Sequence, residues 1–229
     1  FQAHCHSEKD CRPRGLEIYR KGSISIFEIS SKADRISCQL LFLLSKLFLD
    51  ESSLSYIIDN ITYLILCECD ENGAHPVGFL SRPTNWDGNI ILYELVILPP
   101  FQKQGYSQLL LSCVYEMAHR SFVIGGIGRS LTDLGKFAFN RFLINKIVNL
   151  LQNKLYEIST VKDISAYTSI CINDVIQTLK ILEIMPDDEN NLKIDEIEDF
   201  LQNYKKIEYD KYFDNEFLMW FTEEMEEDE

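Results

Sequence analysis

The stretch Leu98-Pro99-Pro100-Phe101-Gln102-Lys103-Gln104-Gly105-Tyr106-Ser107 constrains this chain more than any other. An apolar run, Asn89 to Leu98, leads into it, and a helical pattern from Ser107 to His119 leaves it. Two consecutive prolines cannot donate to a ladder, so they end the strand. Gly105 permits the turn that opens the helix. Backbone N–H groups at such a helix start lack intrahelical acceptors and lie at the positive end of the dipole. The segment therefore reads as a phosphate-binding turn between a strand and a helix.

Two further blocks accompany it, Glu17-Ile18-Tyr19-Arg20-Lys21-Gly22 near the start and Leu131-Thr132-Asp133-Leu134-Gly135 beyond the turn. In order and rough spacing the three resemble blocks of the MYST histone acetyltransferases, which read approximately EIYRKG, LPPYQRRGYG and LSDLG. The resemblance covers nearly the whole chain. It implies an α/β fold, with a GNAT-like acetyltransferase core, a mixed central sheet and acetyl-CoA wedged between two splayed strands. A helical, winged-helix-like C-terminal segment follows. The expected division is residues 1–15 as the remnant of a zinc-finger segment, 16–155 as the acetyl-CoA-binding core, and 156–229 as a helix-turn-helix-like segment with an acidic tail.

With 229 residues, 46% of them hydrophobic, the chain can bury a full core. Its longest apolar stretches, Leu40 to Leu49 and Ile61 to Cys67, are too short and interrupted to cross a bilayer, and the reading is of a soluble intracellular protein. The formal charge of −14, concentrated in Glu223 to Glu229, argues against duplex nucleic acid as the main partner and suits a basic peptide. For the tail alone, solubility is the simpler reading. Seven cysteines, an odd number scattered through apolar segments, fit buried thiols in a reducing compartment. His4, Cys5, His6 and Cys11 fall where the family carries a finger, but this sequence lacks the first cysteine pair, so zinc is expected only if that pair lies upstream.

Alternation marks Ser23 to Ile29 as a strand, and helical spacing marks Ile36 to Asp50. Ile61 to Cys69 and His75 to Ser81 read as a hairpin joined by Asp70-Glu71-Asn72-Gly73. Thr132 is a cap for a helix from about Leu134 to Asn153. Glu157 to Ile164, Asn173 to Leu182 and Ile194 to Tyr204 read as short helices of a packing module rather than a DNA reader, since acids outnumber bases there. Aromatic residues between Tyr209 and Phe221 are expected to pack the tail onto the core.

By matching positions, the backbone of Leu95, Val96 and Ile97 is expected to hold the pantetheine arm of acetyl-CoA. Gln102, Lys103, Gln104, Gly105, Tyr106, Ser107 and Gln108 are expected to wrap its pyrophosphate, with Thr132 and Arg141 nearby. Ser107 replaces a family glycine, which matters if that position needs positive φ or close approach to phosphate. The family's catalytic cysteine falls on Glu94, its general-base glutamate on Gly128 within the flexible-looking Gly125-Gly126-Ile127-Gly128, and its self-acetylated lysine on Ser52. Lysine acetylation needs a base, and related acetyltransferases outside this family carry a glutamate on the equivalent strand. Glu94 is therefore the candidate catalytic residue, because burial beside apolar neighbours raises a carboxyl toward a useful pKa. His75, His119, Glu116 and Cys113 read as surface, capping or core residues. The resemblance implies acetyl transfer to a lysine of a histone or other basic protein, in the nucleus, alongside chromatin-complex subunits. The competing reading is a catalytically degenerate binding module in such a complex.

Overall fold

Residues 16–97 build a sheet because their apolar positions recur at strand spacing and their turns carry the right residues. In the computed structural model, residues 12–48, 59–86, 88–128, 131–184, 187, 191–204 and 212–221 are described. β1 (Leu16–Lys21) returns through Gly22, at φ 60°, into β2 (Ile24–Ser30). β3 (Ile61–Asp70) and β4 (Gly73–Pro83) form the expected hairpin, with Asp70 Oδ1 accepting the Asn72 N–H at 2.7 Å to set the turn. β5 (Ile90–Leu92) and β6 (Glu94–Ile97) replace the single strand expected over 89–98. The main sheet runs β1-β2-β3-β4-β6, antiparallel throughout, while β5 pairs in parallel with β7 (Gly126–Ile127).

Strand alternation sorts the side chains into two layers. Leu64, Leu66, Leu80 and Leu95 point to the face covered by α2 (Tyr106–Arg120) and α3 (Asp133–Lys154). Tyr63, Ile65, Phe79 and Val96 point to the other face, covered by α1 (Arg35–Ser45) through Cys38 and Leu41. The ends of α1 and α3 follow from their caps: Asp34 accepts from Ser37 N–H, and Thr132 from Gly135 N–H.

The C-terminal segment contributes α4 (Val161–Thr168), α5 (Ile172–Ile181) and α6 (Ile194–Asn203). α4 starts four residues later than its apolar spacing suggested. Thr160 and Asp163 form a reciprocal capping box there, and that local pairing decides the boundary. The connector between α4 and α5 joins β7: Gly125 N–H donates to Ser169 and Cys171 N–H to Gly125, both at 3.0 Å.

The tail does return to the core. Met219 N–H donates to the Ile18 carbonyl at 2.8 Å, and Phe213 stacks on Tyr19 at 4.9 Å; Tyr209 lies outside the described residues. Arg120 donates to the carbonyls of Asn215, Leu218 and Trp220. Glu116 is no ordinary exposed acid, since it holds both Arg120 and Asn215.

Arg82 is 4% exposed, pairs with Glu28 at 2.6 Å and lies 4.8 Å from the Trp86 ring. Removing its carboxylate partner would strand a buried guanidinium. Glu28→Ala is expected to cost about 3 kcal/mol, a fall in Tm of roughly 6–12 °C, measured by thermal unfolding; a fall under about 2 °C would show that the pair holds nothing.

Candidate active site

The strand through Tyr93 changes partners midway. Its first half pairs with β7, Ile90 opposite Gly126 and Leu92 opposite Ile127, and Gly128 N–H closes that ladder on the Leu92 carbonyl at 2.8 Å. Its second half, β6, pairs with β4 and is the last strand of the main sheet. At the junction, Ser81 lies opposite Glu94 while its carbonyl accepts the Tyr93 N–H at 2.8 Å, so two residues face one. This is a bulge, which bends the strand away from β7. Beyond Leu92 the outer edge of β6 has no neighbouring strand among the described residues. Alternate N–H and C=O groups of Leu95, Val96 and Ile97 are thereby offered along an extended edge.

That strand ends in the turn read from sequence. Leu98 N–H donates to Val77, and Pro99–Phe101 forms a short 3₁₀ turn. Lys103 at φ 61° and Gly105 at φ 90° then swing the chain into α2. The side chains here build the turn. Gln102 Nε2 donates to the Ile97 carbonyl at 3.0 Å, Gln104 Nε2 to Pro100 at 2.9 Å and Gln108 Nε2 to Ala138 on α3 at 2.9 Å. Tyr106 is buried, with its hydroxyl on the Glu68 carboxylate and its ring against Phe101. The rest of the turn is main chain at a helix N-terminus, where Gln108 N–H donates to the Gly105 carbonyl at 3.0 Å. Ser107 sits in the first turn of α2 and is absent from the positive-φ residues, so the exchange of glycine for serine there asks nothing unusual of the backbone.

Thr132 occupies the cap of α3. Arg141 lies three residues beyond Ala138, on the side of α3 that meets Gln108. The same stripe carries Leu134 and Phe137, 61% and 64% exposed. Reading by motif missed these two, although their i, i+3, i+7 spacing with Arg141 was visible.

Glu94 is 3% exposed. It ends a row running across the sheet, Ile29, Tyr63, Ser81, Glu94, on the face that α1 covers. The loop bearing Gly128 is close-packed, which corrects the expectation of flexibility. A Cβ on Gly125 would meet the Asn89 carbonyl oxygen at 2.5 Å, and one on Gly126 the Asp174 carboxylate at 2.7 Å. These glycines serve close approach. Cys113 is fully buried in α2, and burial pushes its thiol far up, as it lifts Cys38 to about 11, so neither is a nucleophile at neutral pH. Among the described residues no cluster of three or more His, Cys, Asp or Glu could hold a metal ion; His4, Cys5, His6, Cys11 and Ser52 lie outside them.

With this geometry established, comparison with known proteins gives one family match, the MOZ/SAS family, over residues 12–219. The chain belongs to the MOZ/SAS family. Among its relatives are Histone acetyltransferase MOF of Drosophila melanogaster, 35% identical over 81% of this chain and 22% of that protein, and Histone acetyltransferase of the MYST family 1 of Arabidopsis thaliana, 35% over 76% and 39%. Histone acetyltransferase ESA1 of Candida glabrata is 32% identical over 91% of the chain and 47% of its own length. The chain thus spans less than half the length of these relatives. The MOZ/SAS assignment agrees with the three sequence blocks and with the α/β architecture around the divided strand.

The positive φ at Gly105 gives a direct check on the turn. Gly105→Ala is expected to cost about 1–2 kcal/mol, because a Cβ disfavours φ near 90°. Urea unfolding measures it, and a change below about 0.3 kcal/mol would mean the turn relaxes freely.

Proposed function

We propose that this chain is the catalytic core of a protein-lysine acetyltransferase, moving acetyl from acetyl-CoA to the ε-amine of a lysine in a histone or another basic protein. The observation that carries the reading is a coincidence on one strand. A buried carboxylate, Glu94, stands where the strand parts from β7, and a helix-opening turn of backbone amides ends the same strand. The relatives' names, all histone acetyltransferases, support the choice of substrate class.

In this reading the edge of Leu95 to Ile97 orients the extended arm of acetyl-CoA, the amides from Lys103 to Ser107 bind its diphosphate, and Arg141 adds positive charge nearby. The Glu94 carboxylate accepts the proton that the neutral amine gives up as the new C–N bond forms and the thioester C–S bond breaks, and the same proton passes to the departing thiolate, which leaves as the free thiol of coenzyme A. A formal charge of −14 favours encounter with a basic substrate. The protein acts in the nucleus alongside chromatin-complex subunits.

The reading of a binding module without turnover draws on Gly128, where the family's usual base has no counterpart. Glu94→Gln separates the two. Turnover on a histone peptide is expected to fall by roughly 100-fold or more, while calorimetry finds acetyl-CoA affinity within about twofold of wild type. Unchanged turnover would remove Glu94 from the role of base. Binding without any product from the wild-type chain would select the module.

A further inference from the structure

Gly128 touches solvent, but the direction its side chain would take is blocked. A Cβ there would lie 2.7 Å from Ile90 Cγ2 and 2.9 and 3.0 Å from Cδ1 and Cε1 of Tyr93. The loop has little room to retreat, because the Gly128 N–H is bound to Leu92 and Gly126 N–H to Asn89 at 2.9 Å. The space that a side chain at 128 would need is filled by Ile90 Cγ2 and the Tyr93 ring together.

Tyr93 also belongs to the bulge that presents Glu94. Its N–H is held by the Ser81 carbonyl, and Ser81 is the cross-strand partner of Glu94. The ring packs against the cluster that contains Tyr63, Phe79 and Val96, on the face to which Glu94 is directed by alternation from Val96. Tyr93 and Glu94 therefore share one face at the bulge, with the ring wedged between the carboxylate's strand and the loop after β7.

We propose that Tyr93 is a positioning residue: its ring, together with Ile90, fills the space over Gly128 and holds the bulge so that Glu94 faces the reaction centre. The proposal rests on Glu94 being the base. The contacts to Gly128 come from ring carbons of Tyr93, so the ring is the part that the variants test.

Two measurements test it, and they fail independently. In a thermal unfolding cycle, Gly128→Ala is expected to lower Tm by roughly 4 °C or more in the wild-type chain. In a Tyr93→Ala background it is expected to lower Tm by less than about half as much, Ile90 supplying the remaining obstruction. If Tyr93→Ala does not fold, Tyr93→Leu serves as the ring-free background. In steady-state assays, Tyr93→Phe is expected to keep kcat within about twofold, and the ring-free variant to lose roughly tenfold or more in kcat with KM for acetyl-CoA unchanged. An equal Tm cost in both backgrounds would overturn the ring's place over Gly128. Full kcat in the ring-free variant, or a loss of the same size in Tyr93→Phe, would overturn the positioning role. A wild-type chain without turnover would overturn the assignment of the base, while the unfolding cycle still decides the packing.

Discussion

A strand that serves two neighbours in succession governs this fold. Up to Leu92 it is tied in parallel to β7, and from Glu94 onward it is tied antiparallel to β4, with the bulge at Tyr93 and Glu94 absorbing the change. Buried main-chain polar groups must find partners, so a strand cannot simply leave one neighbour without exposing an edge. Here the exposed edge is short and runs directly into the turn at Gly105. Between edge and turn stand Pro99 and Pro100, which have no N–H, and the Ile97 carbonyl, which Gln102 holds.

The two edges of the main sheet are treated differently. At β1 the chain covers its own edge: Met219 binds Ile18, Tyr19 bridges to Leu218, and Arg120 gathers three tail carbonyls. Such covering is the usual protection against stray strand pairing. At β6 no strand of the described residues does the same. The helical C-terminal segment meets this end at β7, where the Ser169 to Cys171 connector bonds Gly125 and Asp174 lies against Gly126. Its place in the fold is that of a brace for the loop next to the site, consistent with its poverty in basic residues.

Much of this was legible because local chemistry and tertiary structure agree. The Asp70 to Gly73 turn, the proline-ended strand, the Gly105 helix start and the Thr132 cap all stand where their residue types place them. The break at Tyr93 was not legible, since Asn89 to Leu98 is one apolar run and a bulge leaves no residue signature in it. Gly125 to Gly128 looked flexible because glycine in sequence does not tell freedom from close packing, and only the Asn89, Asp174 and Tyr93 contacts decide between them. Gln102, Gln104 and Gln108 were read as ligand-facing, whereas their amides are spent on the protein's own carbonyls. Motif matching identified the turn correctly but could not say which of its atoms were left over.

Amide hydrogen exchange in the presence and absence of acetyl-CoA reads the proposed binding groups themselves, which are main-chain N–H groups. Added acetyl-CoA is expected to slow exchange by roughly tenfold or more in peptides covering residues 95–97 and 103–108, with little change along β1 and the 212–221 tail. Protection absent from both peptides under saturating acetyl-CoA, or confined to segments away from the divided strand, would contradict binding by these groups.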